Sequence, residues 1–143
     1  MSQENVDIVE AVLPNGDVDL VSLIRDDGVW AVASEAVAPF LHSDFEIVGT
    51  VIGTERAYLG VEGFREFMLD WLAPWDAFRS KVERTIDDGG ERVVTIFRQS
   101  AHRGSSEVQA TAAWVWTIED GMVARVVGYA DPAAALEAVG LEE

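Results

Sequence analysis

The sequence predicts an α+β domain, with helices laid over one face of a curved antiparallel sheet. Three observations lead there. Apolar residues recur every three or four positions in the segments up to Trp75. From residue 77 onward the period changes to two, through four stretches separated by turn residues. A short capped helix then closes the chain. The 143 residues hold no repeat, low-complexity tract or linker, so residues 1–143 read as one domain, long enough to bury a core without staples.

Each element has its own local reason. SQENVDIVEAVL predicts an amphipathic helix with Ser2 as N-cap and Val6, Val9 and Leu13 on one face, stopped by Pro14-Asn15-Gly16. Asp17 can cap a second short helix, DVDLVSLIRDD, with Leu20, Leu23 and Ile24 inward. Gly28 reads as a break, and Trp30, Ala33, Val37 and Phe40 predict a third helix over 30–41. FEIVGTVI is a strand candidate, and GTERAYLG reads as a loop or short extended link. VEGFREFMLDWLAPW is the clearest helix, with Val61, Phe64, Met68 and Trp75 in period and Pro74 at its end. AFRSKVERTID, ERVVTIFRQSAHR, SEVQATAAWVWTI and MVARVVGYA are the strands, joined at Asp88-Gly89, Gly104-Ser105 and Asp120-Gly121. Asp131 caps the last helix, with Pro132 at its first position and Gly140 at its close.

Composition removes several classes of function. There is no cysteine, which excludes disulfides, thiolate nucleophiles and cysteine-held metal centres. The net charge of −16 repels phosphate backbones and anionic lipid, so no nucleic acid and no membrane surface is expected as partner. No apolar run reaches the roughly 18 residues of a membrane span. The polar, acidic start MSQENVDIVE is unlike a secretory signal, and a cytoplasmic protein is expected. His42 and His102 lie far apart among scattered acids, so neither a metal nor a cofactor is expected.

MSQENVDIV, AYLGVEGFREFMLDWL, VWTIEDGMVARVVGYAD and the terminal AAALEAVGL, in that order and spacing, resemble the nuclear transport factor 2-like superfamily, in its SnoaL-like (polyketide-cyclase-like) branch. Residues 14–44 depart most from that pattern, through DDGVWAVASEAVAPFLHSD. The resemblance implies a cone-shaped, cystatin-like domain with an apolar pocket, commonly a homodimer packed through the sheet. It does not imply one activity, because isomerases, epoxide hydrolases, cyclases, dehydratases and binding modules share the scaffold.

Candidate site residues follow from both sources. Enzymes of this fold place carboxylates at inward strand positions, where a dry cavity tunes them. Here residues 108–118 and 122–130 hold no acid, and Gly128 stands where the epoxide-hydrolase pattern has one. Asp131, followed by proline, reads as a helix cap. His42 and Asp44, in HSD at the mouth of the first strand, are the candidate bases. Tyr58 and Arg98 are the candidate oxyanion partners: Tyr58 stands where the resemblance implies an aromatic at the pocket entrance, and Arg98 is alone in an apolar strand whose register is open. The aromatics are the strongest local signal. Phe40, Phe67, Trp71, Trp75, Trp114, Ala112 and Gly128 are candidates for lining a pocket, with Ala110 beside them, while Trp116 and Ile118 read as core. The outer positions Thr111, Ala113, Val115 and Thr117 offer a dimer surface. The expectation is a protein that binds a small apolar molecule. Isomerase-, cyclase- or hydrolase-type chemistry is one reading, and a non-catalytic binding or dimeric interaction domain is the other.

Overall fold

Residues 2–51 and 54–141 are described by the computed structural model. Four helices precede and interrupt the sheet: α1 (Ser2–Val12), α2 (Leu20–Arg25), α3 (Asp27–Val37) and α4 (Gly60–Trp71). Six strands follow one another as β1 (Leu41–Val51), β2 (Thr54–Leu59), β3 (Ala77–Asp87), β4 (Arg92–Arg103), β5 (Ser106–Glu119) and β6 (Met122–Tyr129), and α5 (Pro132–Ala138) ends the fold. No helix among the described residues is long and apolar enough to cross a membrane.

Several element boundaries correct the expectations. Asp19, not Asp17, caps α2, accepting from Val21 N–H at 3.0 Å, while the Asp17 N–H donates to Asn15 Oδ1 in the preceding turn. Asp26 caps α3 by accepting from Val29 N–H, so Gly28 sits inside the first turn instead of breaking the helix. A single 3₁₀ turn, Ala38–Phe40, then leads into β1, which takes in His42, Ser43 and Asp44. The predicted link GTERAYLG contains β2, antiparallel to β1. Tyr58 is its one buried residue, so no alternation marked it as a strand. Ile52 and Gly53, in the predicted strand end and link, and the Ser2 side chain expected to cap α1 lie outside the described residues.

The sheet order is β2-β1-β6-β5-β4-β3. Neighbours are antiparallel except β1 and β6, which run parallel because β6 returns beside β1 after the whole intervening chain. Helices also cover both faces, not one. α1 to α4 pack on the inner face, where Val93, Phe97, Trp114, Trp116 and Val126 join the main core. α5 packs on the outer face, burying Val94, Ile96, Ala113 and Val115 under Ala135, Leu136 and Val139. The outer face of β5 expected as a dimer surface is therefore covered at Ala113 and Val115 by the chain's own helix. The two-sided burial also explains the near-continuous apolar run VVTIF in β4.

Two glycines shape the inner face. A Cβ on Gly49 would come within 2.5 Å of Phe67 Cε1, and one on Gly128 within 3.3 Å of Trp114 Nε1. The rings lie where side chains of β1 and β6 would otherwise stand. Gly49→Ala must displace Phe67 from its stack on Trp71, and overpacking of this kind costs about 1–3 kcal/mol. Urea unfolding of the variant should show a lowered midpoint with an unchanged slope.

Candidate functional site

Between the helices and the inner face lies a cavity of about 260 Å³. Trp30, Phe64 and Trp71 stand foremost on the helix side, with Phe97, Trp114 and Trp116 on the sheet side. Trp114 joins these walls. Its ring centroid lies 6.4 Å from Phe64, 6.5 Å from Trp71, 5.7 Å from Phe97 and 5.6 Å from Trp116, in tilted or edge-on geometry. Such arrangements suit the aromatic quadrupole and fix ring positions. The exposed lining residues Ala11, Pro14 and Ala36 put the mouth between the end of α1 and α3. Among the described residues, the lining side chains that are polar, the indole N–H groups apart, are Ser80 and Gln99, which face each other across β3 and β4. Trp116, fully buried, satisfies its indole N–H by donating to Thr95 Oγ1 at 2.9 Å.

The four candidate acid–base and oxyanion residues lie away from this cavity. The Asp44 N–H donates to His42 Nδ1 at 3.0 Å, and His42 Nε2 lies 3.8 Å from Asp120 Oδ2, at the β5–β6 turn. Asp44 itself is exposed. Tyr58 is buried against Phe67 and donates its phenolic hydrogen to Asp70 Oδ2 at 2.9 Å. Burial raises its pKa, and the Asp70 bond and charge push the same way against Arg56. Arg98 points outward: β4 alternates, Phe97 and Gln99 face in, and the Arg98 guanidinium pairs with Glu83 at 2.9 Å on the outer face. His102 is half-buried on that same face, 3.2 Å from Ser100 Oγ.

Of the expected lining residues, Trp71 and Trp114 stand in the cavity wall. Trp116, read as core only, is both core and wall. Phe67 and Gly128 form the layer behind, against Trp71 and Trp114. Phe40 and Trp75 pack against the core outside the cavity lining, and Ala110 and Ala112 are not in the lining although their register partners Gln99 and Phe97 are. Among the described residues no group of three or more His, Asp or Glu side chains gathers where it could hold a metal ion. The fold thus assembles an aromatic cavity with no titratable group in its lining among the described residues.

Residues 25–126 match the model of the SnoaL-like domain. The chain belongs to the SnoaL-like family. No curated protein sequence matches it. Among solved structures it is similar to TerC co-crystallised with polyporic acid, at 19% identity and a TM-score of 0.67, covering 96% of this chain and 98% of that one. A candidate SnoaL-like polyketide cyclase from Jannaschia sp. CCS1 shares 16% identity at a TM-score of 0.67, with 99% and 95% covered. A nuclear transport factor 2-like protein of unknown function from Burkholderia pseudomallei K96243 shares 14% at 0.66, with 96% and 98% covered. At these identities the likeness carries the fold alone.

In this SnoaL-like domain the cavity roof is α2 and α3, and two side chains tie it down. Arg65 on α4 donates to Ile24 O at 3.0 Å, pairs with Asp27 at 2.7 Å, and lies over the Trp30 ring. Asp19 accepts from Val21 N–H and Ser22 Oγ on α2 and from Phe78 N–H on β3. Burial by itself would raise the Asp19 carboxyl, but the bonds from Phe78, Ser22 and Val21 and the charge of Arg79 outweigh it and hold the pKa below the ordinary 3.8. A depressed carboxylate pKa gives stability that is present above the unfolded value and is lost as pH falls through the folded value. Asp19→Ala should therefore destabilise the domain at neutral pH, by about 1 kcal/mol for the cap alone. Asp19→Asn, which keeps an oxygen for both backbone donors, should cost less at neutral pH. Its deficit against the parent should shrink once pH drops below the ordinary carboxylate range. Chemical denaturation from pH 7 to pH 3 measures both.

Proposed function

We propose that this SnoaL-like domain binds a small apolar molecule in the cavity beneath α2 and α3, and performs no acid–base chemistry there. The observation that carries this reading is the lining. Apolar pockets with a few convergent polar groups are the usual form of a small-molecule site. General acid–base catalysis needs a titratable group within about 3 Å of the reacting atom, or one water away. Here the convergent polar groups are a serine hydroxyl and a glutamine amide, and among the described residues no carboxylate, imidazole or phenol lines the cavity. The inward position that an acid would take on β6 is Gly128, and Trp114 occupies the space above it.

Thermal unfolding against terpenoids, polyketide-like aromatics, steroids and fatty acids tests the reading. A ligand at 100 times its Kd adds about 2.7 kcal/mol, which raises the midpoint by several degrees for a domain of this size. The ligand should be recovered unchanged. His42→Ala, Asp44→Ala, Tyr58→Phe and Arg98→Ala should each leave the ligand-dependent rise intact. No rise with any compound would overturn the binding reading. Turnover that falls about 10²-fold in one of those variants would restore an enzyme.

A further inference from the structure

Within the binding reading just given, we infer that the ligand is neutral, has about ten non-hydrogen atoms, and carries one carbonyl or hydroxyl oxygen held by Gln99 and Ser80. Three independent features of the cavity lead to this class.

The first is size. A cavity of about 150 Å³ accommodates benzene. By that measure the 260 Å³ here holds about ten non-hydrogen atoms. This fits a bicyclic compound or a substituted single ring, and falls well short of a four-ring skeleton. The second is charge. Among the described residues no Lys, Arg, His, Asp or Glu lines the cavity, in a chain that carries 26 acidic and 10 basic residues. A carboxylate or ammonium seated there would lose its hydration with no counter-charge, so ionised ligands are rejected.

The third feature is the polar pair. Ser80 and Gln99 are register partners on the two strands, and both project inward between apolar neighbours. Gln99 is 7% exposed, and its amide makes no hydrogen bond to any described residue. Because no fully buried side-chain nitrogen or oxygen lacks a partner, that amide is not sealed off but opens onto the cavity. An amide in place of a leucine on this apolar wall leaves hydrogen-bonding capacity facing whatever enters the cavity. Gln99 offers both donors and an acceptor, and Ser80 offers a hydroxyl that does either. One ketone or alcohol oxygen meets both side chains, while the rest of the ligand lies among Trp30, Trp71, Phe97 and Trp114.

Calorimetric titration with one skeleton in three forms tests the assignment: α-tetralone, tetralin, and the corresponding tetralin carboxylate, with a steroid ketone as size control. α-Tetralone should bind about tenfold more tightly than tetralin, the worth of one such hydrogen bond. The carboxylate and the steroid should not bind. Gln99→Leu should erase the preference while leaving tetralin binding intact, and Ser80→Ala should reduce it. Folding of each variant is checked by near-ultraviolet circular dichroism. If Gln99→Leu fails to fold, Ser80→Ala decides. Equal binding of α-tetralone and tetralin, or a preference untouched by the variants, overturns the polar anchor while the binding reading stands. Tight binding of the steroid overturns the size limit. If no compound binds, including those of the wider panel, the binding reading itself fails.

Discussion

The Trp114 indole lies against a strand position that has no side chain, and much of the site depends on that vacancy. Gly128 is its register partner on β6, and a Cβ there would press on Nε1. Gly49 on β1 does the same for Phe67. Together the two glycines let a layer of aromatic rings sink towards the sheet. Phe67 then stacks on Trp71 at 5.8 Å and meets Trp114 edge-on at 6.3 Å. Close-packed interiors leave little freedom once such rings are seated, because each fixes the next. The remaining space is what the rings of α3, α4, β4 and β5 do not fill, and that space is the cavity.

The same packing decides the chemistry available. An acid at position 128 of β6 would have to press on the Trp114 indole, and the other inward positions of that strand, 123 and 126, are core valines. Acids and bases are plentiful in the chain, but the fold directs them outward or to caps. Glu83 and Arg98 pair on the outer face, Glu46 and Arg125 pair across β1 and β6, and Asp19, Asp26 and Asp131 cap helices. Tyr58 is engaged by Asp70 at the β2–α4 contact. What remains inside is polarisable aromatic surface and two neutral hydrogen-bonding groups. Dispersion and desolvation suit recognition of a flat apolar molecule, and they provide no proton transfer.

The segment that departs most from the family pattern has a definite place. DDGVWAVASEAV forms α3, and its Trp30 closes the cavity from the helix side. The segment is held at its start, where Asp26 caps it and Arg65 bridges α4 to both Ile24 O and Asp27. Towards its other end Ala36 is exposed at the mouth, and Val32 on the same helix is 71% exposed. A roof anchored at one end and lightly packed at the other is the part of this domain best suited to admit a ligand, since local opening is easiest where few apolar contacts are broken.

The sequence by itself determined the α+β class, all five helices in outline, the four late strands and the Asp131 cap. Hydrophobic period and capping chemistry are local, and local signals survive without the fold. It also determined that residues 108–118 and 122–130 offer no acid, and that tryptophan dominates the late strands and the central helix. Tertiary structure decided the rest. β2 has one buried residue, so only its pairing with β1 reveals it as a strand. The inward side of β4 was ambiguous because both faces are buried, one in the main core beneath α1 and one under α5. That choice sent Arg98 outward and Gln99 inward. The cavity joins Ser80 and Gln99 to rings from α3, α4, β4 and β5, and such a convergence depends on sheet register and helix placement, which no run of neighbouring residues encodes.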